Sequence, residues 1–415
     1  MLIEFSCSNH KSIKDKITFS ALASKDTSHS DCLLGFEKYK FDRTMAIYGA
    51  NGSGKSNFLS AIAFAKYLVC NSIQYQPGQL IEQKHHKLSS DNTPSVYQFH
   101  FVNDGIRFAY GFSLQNSLVS EEYLFYFPNG RVQKIFERKF DDIEPGSKYK
   151  KTSFEVPKSI LKENRLFLSC LANYSNLKEV ESAFKFFSEQ LVIYNPQINN
   201  WVEYSINFMK NNQNIKNQFL KWMQDLGTGI KDIKLNIGKT KIDIENIPQG
   251  MPNDLKNFLM TQNITRIDTK VVYEKFETDL MTEESSGIRK LFEIVCPIID
   301  ILQKGKILIC DEIEYGLHES IVQYIVKSFN KVNKDSAAQL IFTTHDTSLL
   351  DLSIFRRDQI WFTQLNEDRA TDLYSLLEIK NVRKSENISK GYVDGKYGAV
   401  PMLNSSFAKN LESEI

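Results

Sequence analysis

No apolar run in this chain approaches the roughly 20 residues that a membrane-crossing helix needs. The start, Met1-Leu2-Ile3-Glu4-Phe5, lacks a basic stretch followed by an apolar core, so it does not read as a secretory signal. Charge of one sign is missing too. Fifty-one basic side chains meet 50 acidic ones, a net charge of +1, which excludes a globally basic nucleic-acid binder and leaves only local patches. The six cysteines (Cys7, Cys32, Cys70, Cys170, Cys296, Cys310) are scattered, with no C-x-x-C pair and no histidine cluster nearby. That pattern suits neither zinc nor a disulfide framework and fits a reducing cytosol. Sustained heptads, internal repeats and low-complexity tracts are also missing. What is there is 42% apolar and 12% aromatic side chains in 415 residues, ample for a packed core. At roughly 150 residues per domain, that length suggests two or three modules or one large α/β domain with insertions. The expected class is a cytoplasmic protein without membrane attachment.

Periodicity places the elements. Leu2, Phe5, Ile13, Ile17 and Phe19 alternate with polar residues in strand fashion. Residues 44–48 read as a short apolar strand that runs into a glycine-rich turn and then a helical pattern over 58–67. Residues 96–139 read as antiparallel β, with Asn103-Asp104-Gly105 and Pro128-Asn129-Gly130 as turns. The stretch 144–162, with Lys148, Lys150, Lys151, Lys158 and Lys162, reads as a surface loop leading into a helix. Such a run is usually a solvated face, a phosphate or DNA contact being the alternative. Residues 176–265 are expected to be mostly helical, and α/β alternation returns after Gly287.

Four strings carry chemistry. Gly49-Ala50-Asn51-Gly52-Ser53-Gly54-Lys55-Ser56 matches G-x-x-x-x-G-K-[ST] between a predicted strand and a predicted helix, the context that this motif requires. Its glycines let backbone N–H groups turn inward around phosphate oxygens, with Asn57 next in line at the helix start. Lys55 would reach the β- and γ-phosphates of ATP, and the Ser56 hydroxyl would ligate Mg²⁺. The apolar run 307–310 ends in Asp311 and Glu312. Beside a P-loop, Asp311 can hold Mg²⁺ through its water shell and Glu312 can orient or deprotonate the attacking water. Residues 339–346 form a second buried-strand pattern, and His345 at its end faces the crevice where open α/β sheets bind ligands. Finally, Ser285, Ser286 and Gly287 precede an apolar helix, offering N–H groups to an anion or, more simply, an ordinary cap.

In chain order these strings resemble the ABC-type ATPase heads of the SMC and RecF kind. Ser285, Ser286, Gly287 and Ile288 stand in place of the usual signature, Tyr315-Gly316-Leu317-His318 at the D-loop, and Asn9-His10-Lys11-Ser12 at the start motif. The chain is more closely similar to bacterial RloA/AbiL-type AAA ATPases, associated with restriction loci and abortive infection. The marks are NHKSIKD, EESSGIRKLFEIV, DEIEYGLHESIVQ, FRRDQIWFTQ and KGYVDGKYGAVP.

The resemblance implies an α/β, ABC-type P-loop ATPase head. In it residues 1–175 and 281–379 form the head, 176–280 a mainly helical insertion, and 380–415 a tail. It implies Asn173 at the Q-loop as a metal or water contact, where glutamine is usual; His10 and Ile288 also depart from the family pattern. It further implies a homodimer in which Ser285 and Gly287 of one chain close over ATP held by the other, with Glu312 as base and His345 on the γ-phosphate. The expected role is a regulator in anti-phage defence with a separately encoded effector. The rivals are a RecF-like clamp that binds DNA directly and an ATP-bound scaffold with negligible turnover. The roughly 70 residues beyond His345 leave little room for the Toprim nuclease of Overcoming-lysogenization-type relatives. Asp351 and Asp358 then read as surface loop residues. Arg383, Lys384, Lys390 and Lys396, among Tyr392 and Tyr397, read as a packed segment or a docking site.

Overall fold

β1 (Leu2–Ser8) turns its Leu2 and Phe5 side chains fully inward and pairs antiparallel with β2 (Ile17–Ser20), Phe5 opposite Phe19. A small hairpin, β3 (Leu33–Phe36) and β4 (Tyr39–Asp42), precedes β5 (Thr44–Gly49). Every position of β5 is buried, as in a parallel strand covered on both faces. The glycine-rich turn then delivers the chain into α1 (Lys55–Asn71). The computed structural model describes residues 1–90, 92–241, 263–333, 336–383 and 386–400.

Four long strands follow, β6 (Ser95–Asn103), β7 (Ile106–Gln115), β8 (Leu118–Tyr126) and β9 (Gln133–Lys139), with the short β10 (Asp142–Pro145). Asp104 (φ 48°) and Gly105 (φ 71°) make the tight turn between β6 and β7, the positive-φ pair that a right-twisted hairpin requires. With β1 and β2 these strands form a seven-stranded antiparallel sheet in the order β10-β9-β8-β7-β6-β1-β2. The lysine-rich stretch is a loop leading into a helix, as expected: α2 (Thr152–Ile160) buries Phe154. Then come α3 (Phe167–Tyr174), α4 (Lys178–Lys185) and β11 (Leu191–Tyr194).

The chain divides into two compact units. One comprises Met1–Ile198 with Ile301–Ile415, the other Asn199–Asp300. The second unit holds α5 (Val202–Asn211), α6 (Gln213–Asp225) and a sheet of β12 (Asp232–Lys241), β13 (Asn263–Val272) and β14 (Glu277–Asp279), then the start of α7 (Ser286–Lys304). Two expectations are corrected here. Residues 232–241 and 263–272 are strand rather than helix, because Ile233, Leu235 and Ile237 alternate with polar residues at period two; residues 242–262 lie outside the described residues. The expected insertion at 176–280 also starts too early, since β11 pairs with the strand at Ile307 and so belongs to the head. The aromatic rings after α4 explain why: Phe186 stacks on Phe101 at 4.0 Å and Phe187 meets Phe99 at 5.1 Å. Burying each such ring stabilises the head by about 1.5–3 kcal/mol.

β15 (Ile307–Cys310), α8 (Glu319–Asn330), β16 (Gln339–Thr343), β17 (Ile360–Leu365), β18 (Thr371–Ser375) and α9 (Ile388–Val393) complete the first unit. Its six-stranded sheet runs β11-β15-β16-β5-β17-β18, parallel except for β18. α1 lies between the two large sheets. Its Phe58 meets Phe5 and Phe19 at 5.7 and 5.5 Å, and Phe19 reaches Trp361 of β17 at 4.8 Å.

Asp358 is a third correction: it is buried, not a surface residue. Its carboxylate accepts from the fully buried Arg356 at 2.8 Å and from the Ser24 amide at 2.6 Å. Arg356 also donates to the carbonyls of Asp26 and Ser28, so the FRRDQ string clamps the loop after β2. Asp351 is exposed and caps Ser353, as expected. No helix among the described residues is long and apolar enough to cross a membrane.

Candidate functional site

Because five neighbouring strands run parallel, their C-terminal ends open on one edge of the sheet, where doubly wound folds place ligands. β5 ends there in the P-loop. Gly52 and Gly54 take φ values of 77° and 106°, and the helix begins at Lys55. A Cβ on Gly54 would stand 2.0 Å from Thr371 Oγ1, and one on Gly49 would stand 2.4 Å from Thr363 Oγ1. No larger residue fits either position. The same threonines brace the loop: Thr363 Oγ1 lies 2.6 Å from Ser53 Oγ, and Thr371 Oγ1 donates to the Ser53 carbonyl at 3.0 Å. Thr371 Oγ1 also lies 2.7 Å from Ser12 Oγ, to which Asn57 Nδ2 donates at 2.8 Å. Each of these buried bonds contributes about 1 kcal/mol to holding the loop's shape. Asn51 and Gly52 stay exposed at the tip.

Lys55 is 5% exposed and donates to the carbonyls of Gly49 at 2.7 Å and Ala50 at 3.1 Å. Burial pushes its amine down to about 8, against the opposing pull of Asp311, Glu314 and Glu312. Ser56 Oγ donates to Asp311 Oδ1 at 3.1 Å, and Thr343 Oγ1 donates to the same oxygen at 2.6 Å. Thr343 in turn accepts from the Glu312 amide at 2.8 Å, so β16 fixes the Asp311 carboxylate and the Glu312 backbone at the end of β15. Glu312 itself has φ 46°. A left-handed backbone costs a non-glycine residue about 1–2 kcal/mol and is kept where the surroundings over-determine it. Its Oε2 accepts from Gln197 Nε2 at 2.6 Å. His345 is exposed, with its amide donating to Glu314 Oε1 at 2.6 Å. Desolvation and the Lys55 cation hold its ring below the ordinary histidine value, against Glu314, Glu312 and Asp311, so it is neutral at pH 7.

The structure therefore brings Lys55, Ser56, Asp311 and Glu312 to one edge, with the His345 ring close enough to interact with Lys55 and the carboxylates. The Asn173 side chain instead donates to the Ser169 carbonyl one turn back in α3, at 2.8 Å. Ser285, Ser286 and Gly287 lie in the second unit. There Ser285 Oγ accepts from the Ile288 amide at 3.2 Å, an N-cap, and both serines are exposed. His10, at the departure from the start motif, is buried between Tyr97 OH (2.8 Å) and Ser60 Oγ (3.0 Å). Burial holds it down to about 3, uncharged.

Among the described residues no three His, Cys, Asp or Glu side chains gather as a metal cluster. Ser56 Oγ and Asp311 Oδ1 are nonetheless a fitting pair of hard oxygen donors for Mg²⁺, which commonly takes one or two protein oxygens plus phosphate oxygens.

Periodicity did not reveal several residues. Gln197 follows β11, whose pairing is long-range, and Thr343, Thr363 and Thr371 read as ordinary strand residues. A cavity of about 1030 Å³ beside Asn57 and Ser12 is lined by Lys11, Lys84, Lys87 and Arg369. The signal for it was the basic run Lys84-His85-His86-Lys87. The tail packs: Tyr392 stacks on Phe362 at 5.6 Å and Tyr397 on the same ring at 6.0 Å. Lys384 and residues 401–415 lie outside the described residues.

One protein family, described as "AAA domain, putative AbiEii toxin, Type IV TA system", matches residues 45–351. No curated protein matches the chain. Solved structures similar to it include an SMC head bound to the C-terminal winged-helix domain of ScpA, at 12% identity and TM-score 0.44. That match covers 90% of this chain and 97% of the other. The SMC head domain from Thermotoga maritima is similar at 12% identity and TM-score 0.43, covering 90% and 98%. An SMC head from Pyrococcus furiosus, with an extended coiled coil and bound to a ScpA C-terminal domain, is similar at 14% identity and TM-score 0.40, covering 90% and 96%.

Proposed function

This chain belongs to the AAA-domain family described as "AAA domain, putative AbiEii toxin, Type IV TA system", and we propose that it is a Mg²⁺-dependent ATPase that regulates an anti-phage response. The observation that carries the reading is the join of the P-loop to the acidic strand end. Ser56 and Asp311 share a hydrogen bond at 3.1 Å, with Glu312 next in the chain. Backbone N–H groups from Asn51 to Ser56 cradle the phosphates, and Lys55 releases the Gly49 and Ala50 carbonyls to meet the β- and γ-oxygens. The cationic cavity beside Asn57 receives the nucleoside end of the substrate. Mg²⁺ between Ser56 and Asp311 would supply charge neutralisation at the β- and γ-phosphates. Glu312 takes the proton of the attacking water, and the neutral His345 ring hydrogen-bonds the γ-phosphate oxygens.

Ser285, Ser286 and Gly287 of a second copy complete the site, so ATP holds a homodimer together and hydrolysis releases it. In this reading the chain is of the RloA/AbiL kind, cytoplasmic, and controls a separately encoded nuclease or toxin. The near-zero net charge favours a protein partner over avid DNA binding. Glu312→Gln is expected to bind ATP, to lose turnover by about 100-fold or more, and to double in mass by light scattering when MgATP is added. A mass that never responds to MgATP counts against the gating. A neighbouring gene encoding neither nuclease nor toxin counts against the effector.

A further inference from the structure

Glu314 stands two residues beyond Glu312 and has no part in the chemistry described so far, yet its carboxylate reaches the strand end that carries His345. We infer that Glu314 is the positioning residue for His345: it fixes the backbone beyond β16 so that the imidazole meets the γ-phosphate of ATP. Glu314 Oε1 accepts from the His345 amide at 2.6 Å, a short, charge-assisted bond. His345 needs such a hold. β16 ends at Thr343, and the Thr344 amide still donates to the Ile47 carbonyl of β5 at 3.2 Å. One residue later the chain leaves the sheet, with His345 exposed and the Glu314 carboxylate as the acceptor for its amide.

Glu314 is itself anchored to the same strand end. The Ile313 amide donates to the Thr343 carbonyl at 3.1 Å, and the Leu317 amide donates to the Glu314 carbonyl at 2.9 Å. The Glu312 amide donates to Thr343 Oγ1 at 2.8 Å, so the turn that holds the proposed base and the end of β16 are tied residue by residue. Packing alone gives no reason for an acid at this position. Glu314 Oε2 is buried without a hydrogen-bond partner among the described residues, a cost that an apolar side chain would avoid. Its charge lies close enough to Lys55 and to the His345 ring to act on both. One oxygen thus holds the backbone of His345 while the other is unused by the fold. A ring displaced by an ångström from the γ-phosphate loses rate without losing the nucleotide, because the P-loop holds the rest.

This role rests on the proposed contact of His345 with the γ-phosphate, and a double-mutant cycle separates the two. Full-length wild type, Glu314→Ala, His345→Ala and the double variant are assayed in single-turnover mode, with protein in excess over radiolabelled MgATP. Affinities for ADP and for the non-hydrolysable analogue AMP-PNP are read by titration calorimetry. Glu314→Ala is expected to slow turnover roughly tenfold and to shrink the preference for AMP-PNP over ADP, while ADP affinity stays within about twofold. Glu314→Gln, which keeps an oxygen for the His345 amide, should fall between wild type and Glu314→Ala. In the His345→Ala background the Glu314→Ala change should slow turnover by no more than about twofold, because no ring is left to position. A change that only weakened the fold would slow both backgrounds alike. Wild-type turnover in Glu314→Ala, a roughly tenfold loss that persists without the His345 ring, or an equal loss of AMP-PNP and ADP affinity each overturns the positioning role. If His345→Ala is slow while Glu314→Ala is silent, only this inference fails. If His345→Ala turns over and prefers AMP-PNP as the wild type does, the γ-phosphate contact fails and this inference with it.

Discussion

The P-loop and the serine-glycine stretch at the start of α7 offer the same chemistry, backbone N–H groups at a helix N-terminus, and they are built in opposite ways. Around the P-loop, Ser53 and Lys55 are buried, Gly49 and Gly54 are packed against threonine hydroxyls, and hydrogen bonds from β17 and β18 close the back of the loop. At α7, Ser285 and Ser286 are exposed, one capping bond is made, and a Cβ on Gly287 would meet nothing nearer than 3.9 Å. The first is a finished receptacle whose shape is set before any ligand arrives. The second is a half-surface that only an incoming partner can complete, as the two-chain closure proposed above requires.

That contrast can be broken or sharpened by four measurements. Lys55→Ala removes the cation at the centre of the finished receptacle, and titration calorimetry should read a loss of ATP affinity of at least about 100-fold. Gly54→Ala forces a Cβ into Thr371 at φ 106°; denaturant melts should show destabilisation of about 2–4 kcal/mol. The pH response is subtler. Phosphate needs the ammonium form of Lys55, whose amine burial pushes down to about 8; bound phosphate charge would raise it again. Affinity should therefore be level below pH 8 and fall about tenfold by pH 9, where the free amine has lost its proton. A flat profile from pH 7 to roughly pH 9.5 would show that Lys55 does not meet the phosphates. Smallest in stability is Gly287→Ala, which fits a helix and should shift the unfolding free energy by no more than about 1 kcal/mol, upward if at all. A fall in turnover without a fall in ATP affinity then places Gly287 in the closing half-site. Unchanged turnover would leave the P-loop edge as the whole site and dissolve the comparison.

The head was legible where local pattern and chemistry coincide. The strand at 44–48, the helix after Gly54 and the apolar runs ending at Asp311 and His345 all read correctly, because fully buried parallel strands have no polar alternation to confuse. The antiparallel strands from 96 to 139 announced themselves by period two and by Asp104-Gly105. What escaped depends on pairing across long separations. β11 is too short to be recognised until it lies beside β15, and Gln197, the donor to Glu312, went unnoticed with it. Asp358 reads as a loop carboxylate because nothing local reveals that Arg356 will bury it against the loop at 24–28. The strands β12 and β13 were lost among lysines and asparagines that resemble a helix surface.

The strand order has a consequence for synthesis. β5 leaves the ribosome with both of its edges unpaired, and its two neighbours, β16 and β17, begin at Gln339 and Ile360, some 290 residues later. At about 5–20 residues per second the interval lasts roughly 15–60 seconds, during which a strand destined for complete burial has no ladder to join. The seven-stranded antiparallel sheet has no such wait, since its last strand ends at Pro145. It can form first and shelter α1 and one side of β5 until the final fifth of the chain emerges. The nascent protein is thus dependent on that early sheet, or on a chaperone in its place, to keep the P-loop strand from pairing with a neighbour on the polysome.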